Sequence, residues 1–163
     1  MERIKRKIIY GRGGKMYRII EYREEYEQEV KLFMINISVK EYGFSEFEEG
    51  FLNADHTKYN KSGGMFWIAV DEMGKVIGTM GLEKKKNTGY LSGVYVDGAY
   101  RGIGLAKQLL DLTIDYASRH GINKIILDTY ERYNRAIRFY EKHKFVKFKQ
   151  ENEKCYYMLN VAV

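Results

Sequence analysis

Proline is absent from the 163 residues, cysteine occurs once and histidine three times. The lone Cys155 excludes an internal disulfide and leaves no thiolate cluster for zinc. His56, His120 and His143 stand at spacings that make no metal-ligand motif, so a metal-free protein is expected. No apolar run approaches the roughly 20 residues that a membrane span requires. The N-terminal stretch "MERIKRKIIYGRGGK" is basic but lacks the long apolar core of a secretory signal. A soluble, cytoplasmic protein with no membrane partner is the expectation.

What is present suffices for one folded domain. Hydrophobic residues make up 45% of the chain and aromatics 15%, including 15 tyrosines, which excludes a disordered chain. The length fits a single core and hardly two. Residues 1–15 read as a basic arm ending in the flexible "GRGG", and 16–163 as one domain. The net charge of +6 is unevenly spread: residues 21–55 hold ten acids and three bases, so the remainder carries +13. A uniformly basic chain would suggest nucleic acid; an acidic block on a basic body does not.

Periodicity divides the chain into elements. Residues 16–20 read as a strand. Residues 23–41, with Tyr26, Val30, Phe33, Met34 and Ile37 near 3.6 spacing, read as an amphipathic helix. Ser45 is placed to cap a short helix through Leu52, and "HTKYNKSGG" (56–64) reads as a loop. Period-two runs at 66–71 and 76–84 flank "EMGK" and predict a hairpin, with a third antiparallel strand at 90–96. A helix over 104–120 follows, with Leu105, Leu109, Leu112 and Tyr116 on one stripe and Gly121 at its end. A strand at 124–129, a helix at 134–142 and strands at 146–150 and 155–160 complete the order β-α-α-β-β-β-α-β-α-β-β. Strand 90–96, helix 104–120 and strand 124–129 make one right-handed parallel crossover in a mostly antiparallel sheet. The fold class is therefore mixed α/β (α+β-like), with helices on both faces.

The entrance to helix 104–120 is nearly bare: Arg101-Gly102-Ile103-Gly104. Unpaired N–H groups at a helix start, with the dipole behind them, suit an anion. A Walker loop is absent, and a dinucleotide fingerprint would need a third glycine where Lys107 stands. Arg101, Gly104 and Ala106 form R-x-x-G-x-A. With the preceding "VYVD" and the downstream "NRAIRFYEKHKF", this resembles the acyl-CoA loop and second motif of the GCN5-related N-acetyltransferases (GNAT), from roughly residue 16 to 160.

That resemblance implies acetyl transfer from acetyl-CoA to an amine by direct attack. The pyrophosphate would meet Arg101, Gly102, Ile103, Gly104, Leu105 and Ala106, with Arg135, Arg138 and Lys107 nearby. Gly93 would mark a bulge that splays strand 90–96, so that the pantetheine arm pairs around Val94, Tyr95 and Val96, and an N–H near Val94 polarises the thioester carbonyl. Tyr140 takes the position of the family's acid, and Asn134 caps its helix and lies near the pantetheine arm.

The base is less defined. Tyr90 stands where relatives carry a glutamate, which leaves Glu83, His143 or a water chain. Lys144 replaces the usual glycine before Phe145 and is expected to take an awkward turn conformation. In this fold the two helices after the first strand wall the acceptor, here the acidic segment with Glu24, Glu25, Glu27, Glu29, Glu41, Glu46, Glu48, Glu49 and Asp55. A negative wall attracts a cationic amine. Tyr22, Tyr26, Phe33, Tyr42, Phe44, Phe47, Phe51 and Trp67 are available to line the pocket or serve the core. The expected partners are acetyl-CoA and an amine acceptor, with a homodimer left open and no nucleic acid. The alternatives are a non-catalytic CoA-binding module of the same fold and a nucleic-acid binder on the basic remainder.

Overall fold

Alternating β-branched and aromatic residues build a sheet that organises the whole molecule. The computed structural model describes residues 8–10, 12–41, 43 and 48–163. Eight strands run in the order β1-β2-β3-β4-β5-β6-β8-β7. They are β1 (Ile8–Tyr10), β2 (Met16–Glu21), β3 (Met65–Asp71), β4 (Val76–Lys85), β5 (Thr88–Val96), β6 (Lys124–Tyr130), β7 (Val146–Glu151) and β8 (Lys154–Asn160). Every neighbouring pair is antiparallel except β5–β6. The helices are α1 (Glu27–Ile35), α2 (Glu48–Leu52), α3 (Lys58–Lys61), α4 (Leu105–Arg119) and α5 (Asn134–Lys142). The mixed sheet with one parallel crossover is the architecture expected from the sequence.

Strand alternation sends side chains to two separate cores. On one face Met80, Leu82, Leu91, Ile125 and Leu127 pack with Leu105, Leu109, Leu110 and Ala117 of α4 and with Tyr140 of α5. On the other, Phe66, Ile68, Val70 and Val76 pack with Val30, Phe33 and Met34 of α1 and with Tyr59 of α3. The parity of β5 follows: Leu91, Val94 and Val96 contribute to the α4 side, and Tyr95 to the α1 side.

Four local readings change. The single helix expected over 23–41 is a 3-10 turn at Glu24–Tyr26, then α1, then a π-helical stretch Asn36–Glu41. The loop 56–64 contains α3, because Tyr59 is drawn into the core at 3% exposure. Residues 8–10 form an edge strand paired with β2 across the positive-φ Gly13 and Gly14. In α4 the buried face is Leu105, Leu109, Leu110, Thr113 and Ala117, and Leu112 is 36% exposed. Small Thr113 and Ala117 let the helix approach the sheet, which rotates the stripe away from Leu112. The expected cap at Ser45 lies outside the described residues.

Lys144 does take the left-handed conformation, at φ 73°. A non-glycine residue there costs about 1–2 kcal/mol. Glycine relieves that strain but gives back part of the gain through its freer unfolded chain. Lys144→Gly is expected to raise stability by about 0.5–1 kcal/mol, read as a higher urea midpoint at unchanged slope.

Candidate active site

The site starts from an interruption in strand pairing. β5 and β6 pair only over Thr88–Tyr90 and Lys124–Ile126. Beyond Tyr90 no strand among the described residues pairs with β5 on that side. The β4–β5 register also shifts between Thr79 and Gly81, which leaves Gly93 and Val94 together opposite Met80. Gly93 sits at φ 63°, and Thr79 Oγ1 donates to its carbonyl at 2.6 Å. The bulge expected at Gly93 is therefore present, and β5 turns away from β6 around it. The main-chain edge at Val94, Tyr95 and Val96 is not paired with β6, and such an edge, at a gap in the pairing, suits an extended ligand carrying amide groups.

At the end of β5 the chain turns into α4. The Asp97 side chain accepts from the Ala99 N–H at 2.8 Å and fixes a short 3-10 turn. Gly102 and Gly104 follow at φ 74° and 93°, the latter as the N-cap of α4. A Cβ at either glycine would meet nothing within 4 Å, so this corner is open. Leu105 is 1% exposed and packs beside Gly78, and Ile103 joins the same core. These two side chains anchor the helix start while its first N–H groups lack intrahelical acceptors. No acid stands in the first turn of α4. Arg101 is half-buried beside the turn, and Ala106 lies one residue inside the helix. Lys107 is turned along α4 to Asp111, 2.7 Å away, and Arg135 and Arg138 are exposed on α5.

Tyr140 approaches the gap from the α4 side. It is 7% exposed, with Phe139 and Phe145 edge-on at 5.6 and 5.5 Å. Burial, then Tyr95 and Asp128, raise its pKa well above the usual phenol value. Tyr95 and Asp128 belong to the two strands that flank the gap, so the phenol reaches toward it. Asn134 is corrected from its expected capping role: Tyr133 occupies the N-cap, without a side-chain capping bond, and Asn134 is the exposed first residue of α5. His143 packs edge-on against Phe139 at 4.6 Å, on the α5 side. Burial, then Lys142 and Lys107, lower its pKa, which favours the neutral imidazole.

Glu83 lies on the opposite, α1-facing side of β4. It is half-exposed and 3.7 Å from Lys58. Of the acidic segment, Glu24, Glu25, Glu29, Glu49 and Asp55 face solvent. Glu27, by contrast, is part-buried. It accepts from the Tyr22 hydroxyl, meets His56 Nδ1 at 2.9 Å and lies 3.5 Å from Lys31. The side chains of Glu41, Glu46 and Glu48, and residues Tyr42, Phe44 and Phe47, lie outside the described residues. Tyr22 and Phe33 serve the core, Tyr26 and Phe51 edge it, and Trp67 packs on the other face.

Sequence reasoning missed the groups nearest the bulge on this side. Tyr59 stacks on Phe66 at 4.9 Å, and His56 stacks on the same ring at 5.2 Å. The Tyr59 hydroxyl bonds Ser92 Oγ at 2.8 Å. One signal was available: Gly81, where a Cβ would lie 2.4 Å from the Tyr59 ring. Among the described residues no group of three or more His, Cys, Asp or Glu is placed to hold a metal ion. No helix there is long and apolar enough to cross a membrane.

Known proteins share this fold. An acetyltransferase of the GNAT family from Staphylococcus aureus Mu50 superposes with a TM-score of 0.80 at 28% identity, covering 89% of this chain and 99% of that one. The PaiA N-acetyltransferase of Thermoplasma acidophilum, solved in complex with coenzyme A, gives 0.75 at 16% identity over 88% and 98% of the two chains. N-alpha-acetyltransferase 30 of Saccharomyces cerevisiae is 34% identical over 62 residues, 38% of this chain and 35% of its own. N-acetyltransferase 8B of Homo sapiens is 34% identical over 79 residues, 43% and 33% of the two. The chain thus spans about a third of the length of these curated relatives. The sequence pattern of the Acetyltransferase (GNAT) family matches residues 22–145. With that match running from the end of β2 to the turn after α5, across the gap and the glycine corner, the chain belongs to the GNAT acetyltransferase family.

Proposed function

We propose that the protein is an N-acetyltransferase that moves an acetyl group from acetyl-CoA to a primary amine. The observation that carries this reading is the open glycine corner at Gly102 and Gly104, set at the mouth of the β5–β6 gap. The main-chain amides from Arg101 to Ala106 would hold the pyrophosphate, and the edge at Val94–Val96 would pair with the pantetheine arm. Arg101, Asn134 and Arg135 border the same ligand. The PaiA neighbour, solved with coenzyme A, supports this use of the fold.

The amine attacks the thioester carbon in its neutral form, which requires loss of a proton at neutral pH. As the C–N bond forms, the carbonyl oxygen gains charge and takes a hydrogen bond from a main-chain N–H near Val94. The C–S bond then breaks, and the sulfur takes a proton from Tyr140, whose phenol burial keeps protonated. The proton shed by nitrogen leaves toward the α1-facing side, where Glu83 is a half-exposed carboxylate. The acidic segment favours a cationic small molecule or a peptide amine as acceptor.

The decisive experiment is a panel of polyamines, amino sugars, lysine-bearing peptides and acidic amines with acetyl-CoA, following free thiol, beside calorimetry with CoA. Cationic amines are expected to react best. CoA binding with no turnover on any amine would leave the non-catalytic module, and absence of binding at millimolar CoA would defeat both readings.

A further inference from the structure

Ser92 combines exposure with a fixed hydroxyl. It stands directly before the Gly93 bulge, and its backbone pairs with Gly81 of β4. The residue is exposed, yet its Oγ is held at 2.8 Å by the hydroxyl of Tyr59, which is 3% exposed. That phenol is held by its packing. Its ring stacks on Phe66, whose ring also stacks on His56, and His56 is tied to Glu27 of α1. Gly81 leaves the space that the Tyr59 ring fills. A Cβ on Gly93 would come 3.2 Å from the Tyr59 hydroxyl, so the pair touches the bulge itself.

The chemistry of the pair is that of an acceptor for N–H. A serine oxygen has two lone pairs and one proton. The bond to Tyr59 uses one of these positions, so at least one lone pair remains for a ligand on the exposed side. Burial pushes the Tyr59 pKa up to about 12, ahead of the opposing effect of its bond to Ser92, so both hydroxyls stay neutral and neither repels an amine. Ser92 lies on the α1 side of β5, opposite the face from which Tyr140 approaches. An amine on this side would add to one face of the planar thioester, and Tyr140, on the other side of the sheet, would meet the thiolate as the tetrahedral intermediate collapses.

We propose that Ser92 Oγ binds the nitrogen of the acceptor amine, accepting one N–H and aiming the lone pair at the thioester carbon, with Tyr59 as the residue that positions it. This rests on the N-acetyltransferase reading and adds the acceptor-side contact that it lacks. Glu83, on the same face and two residue pairs along the β4–β5 ladder, is the outlet for the proton.

Ser92→Ala removes the oxygen from an exposed position and Tyr59→Phe removes only the phenol hydroxyl, so both are expected to fold. Each is assayed for amine-dependent thiol release and, by calorimetry, for acetyl-CoA affinity. Ser92→Ala is expected to lower kcat/KM for the amine about tenfold, the worth of one hydrogen bond made in the transition state. Tyr59→Phe should lower it about threefold, Ser92→Thr should restore it to within about threefold of the parent, and acetyl-CoA affinity should move less than twofold. Amine turnover by Ser92→Ala equal to the parent's overturns this inference alone. An equal loss in acetyl-CoA affinity also overturns it, by assigning Ser92 to the other substrate. A parent protein that binds acetyl-CoA but acetylates no amine overturns the inference and the enzyme reading together.

Discussion

Gly104→Ala is expected to weaken CoA binding about a hundredfold while barely affecting the fold. A hundredfold is about 2.7 kcal/mol, the scale of one or two charge-assisted hydrogen bonds from main-chain amides to phosphate. The argument depends on where the new methyl group would stand. In the protein alone a Cβ at Gly104 meets nothing within 4 Å, so no core contact is disturbed. The residue does sit at φ 93°, and alanine there costs about 1–2 kcal/mol of backbone strain. In a chain of this size that lowers the melting temperature by a few degrees. A loss of affinity far beyond that strain therefore has one source, a ligand that comes closer to Gly104 than any part of the protein does. Calorimetric titration with CoA, beside a thermal melt, separates the two. An affinity within threefold of the parent would show that the diphosphate does not lie against this corner.

The legibility of these elements in the sequence follows from the range of the interactions that fix them. Helix 134–142 was legible to within about one residue, its cap being Tyr133 rather than Asn134, because its ends are set by local backbone preferences. The Gly93 bulge and the left-handed Lys144 were also legible, since each is a single residue at odds with its surroundings. Leu112 was misplaced because the facing sheet, through the small Thr113 and Ala117, decides which way α4 turns. Tyr59 was unreadable for a similar reason. In "HTKYNKSGG" it has no periodic partners, and its role depends on Gly81, Phe66 and Ser92, which are 7 to 33 residues away in the chain. Glu27 shows the same limit for charge: composition places it in an acidic block, and only the fold turns it toward His56. Local rules therefore located the glycine corner before α4, and tertiary contacts hid the Tyr59–Ser92 pair on the α1 side.

Tyr140→Phe is expected to reduce turnover about a hundredfold, within the range of a lost general acid, without weakening the protein. Phenylalanine keeps the ring and its edge-on contacts with Phe139 and Phe145. The Tyr140 side chain is 7% exposed, and desolvation is the largest effect on its phenol. Such a group adds desolvation cost to the folded state, so its removal leaves the melting temperature unchanged or slightly raised. A residue whose loss stabilises the fold and disables the reaction is held there by the reaction. The raised pKa agrees with this assignment: burial keeps the phenol protonated through neutral pH, which suits a donor to the departing thiolate and rules out service as the base. Two readouts follow in the variant. Acetyl-CoA affinity should stay within about twofold, because the bond to sulfur forms only as the C–S bond breaks. The rise of rate with pH should survive, because it reports deprotonation of the amine at a pKa near 10. Turnover equal to the parent's would remove Tyr140 from the chemistry, whereas a fall in melting temperature matching the fall in rate would make it a packing residue.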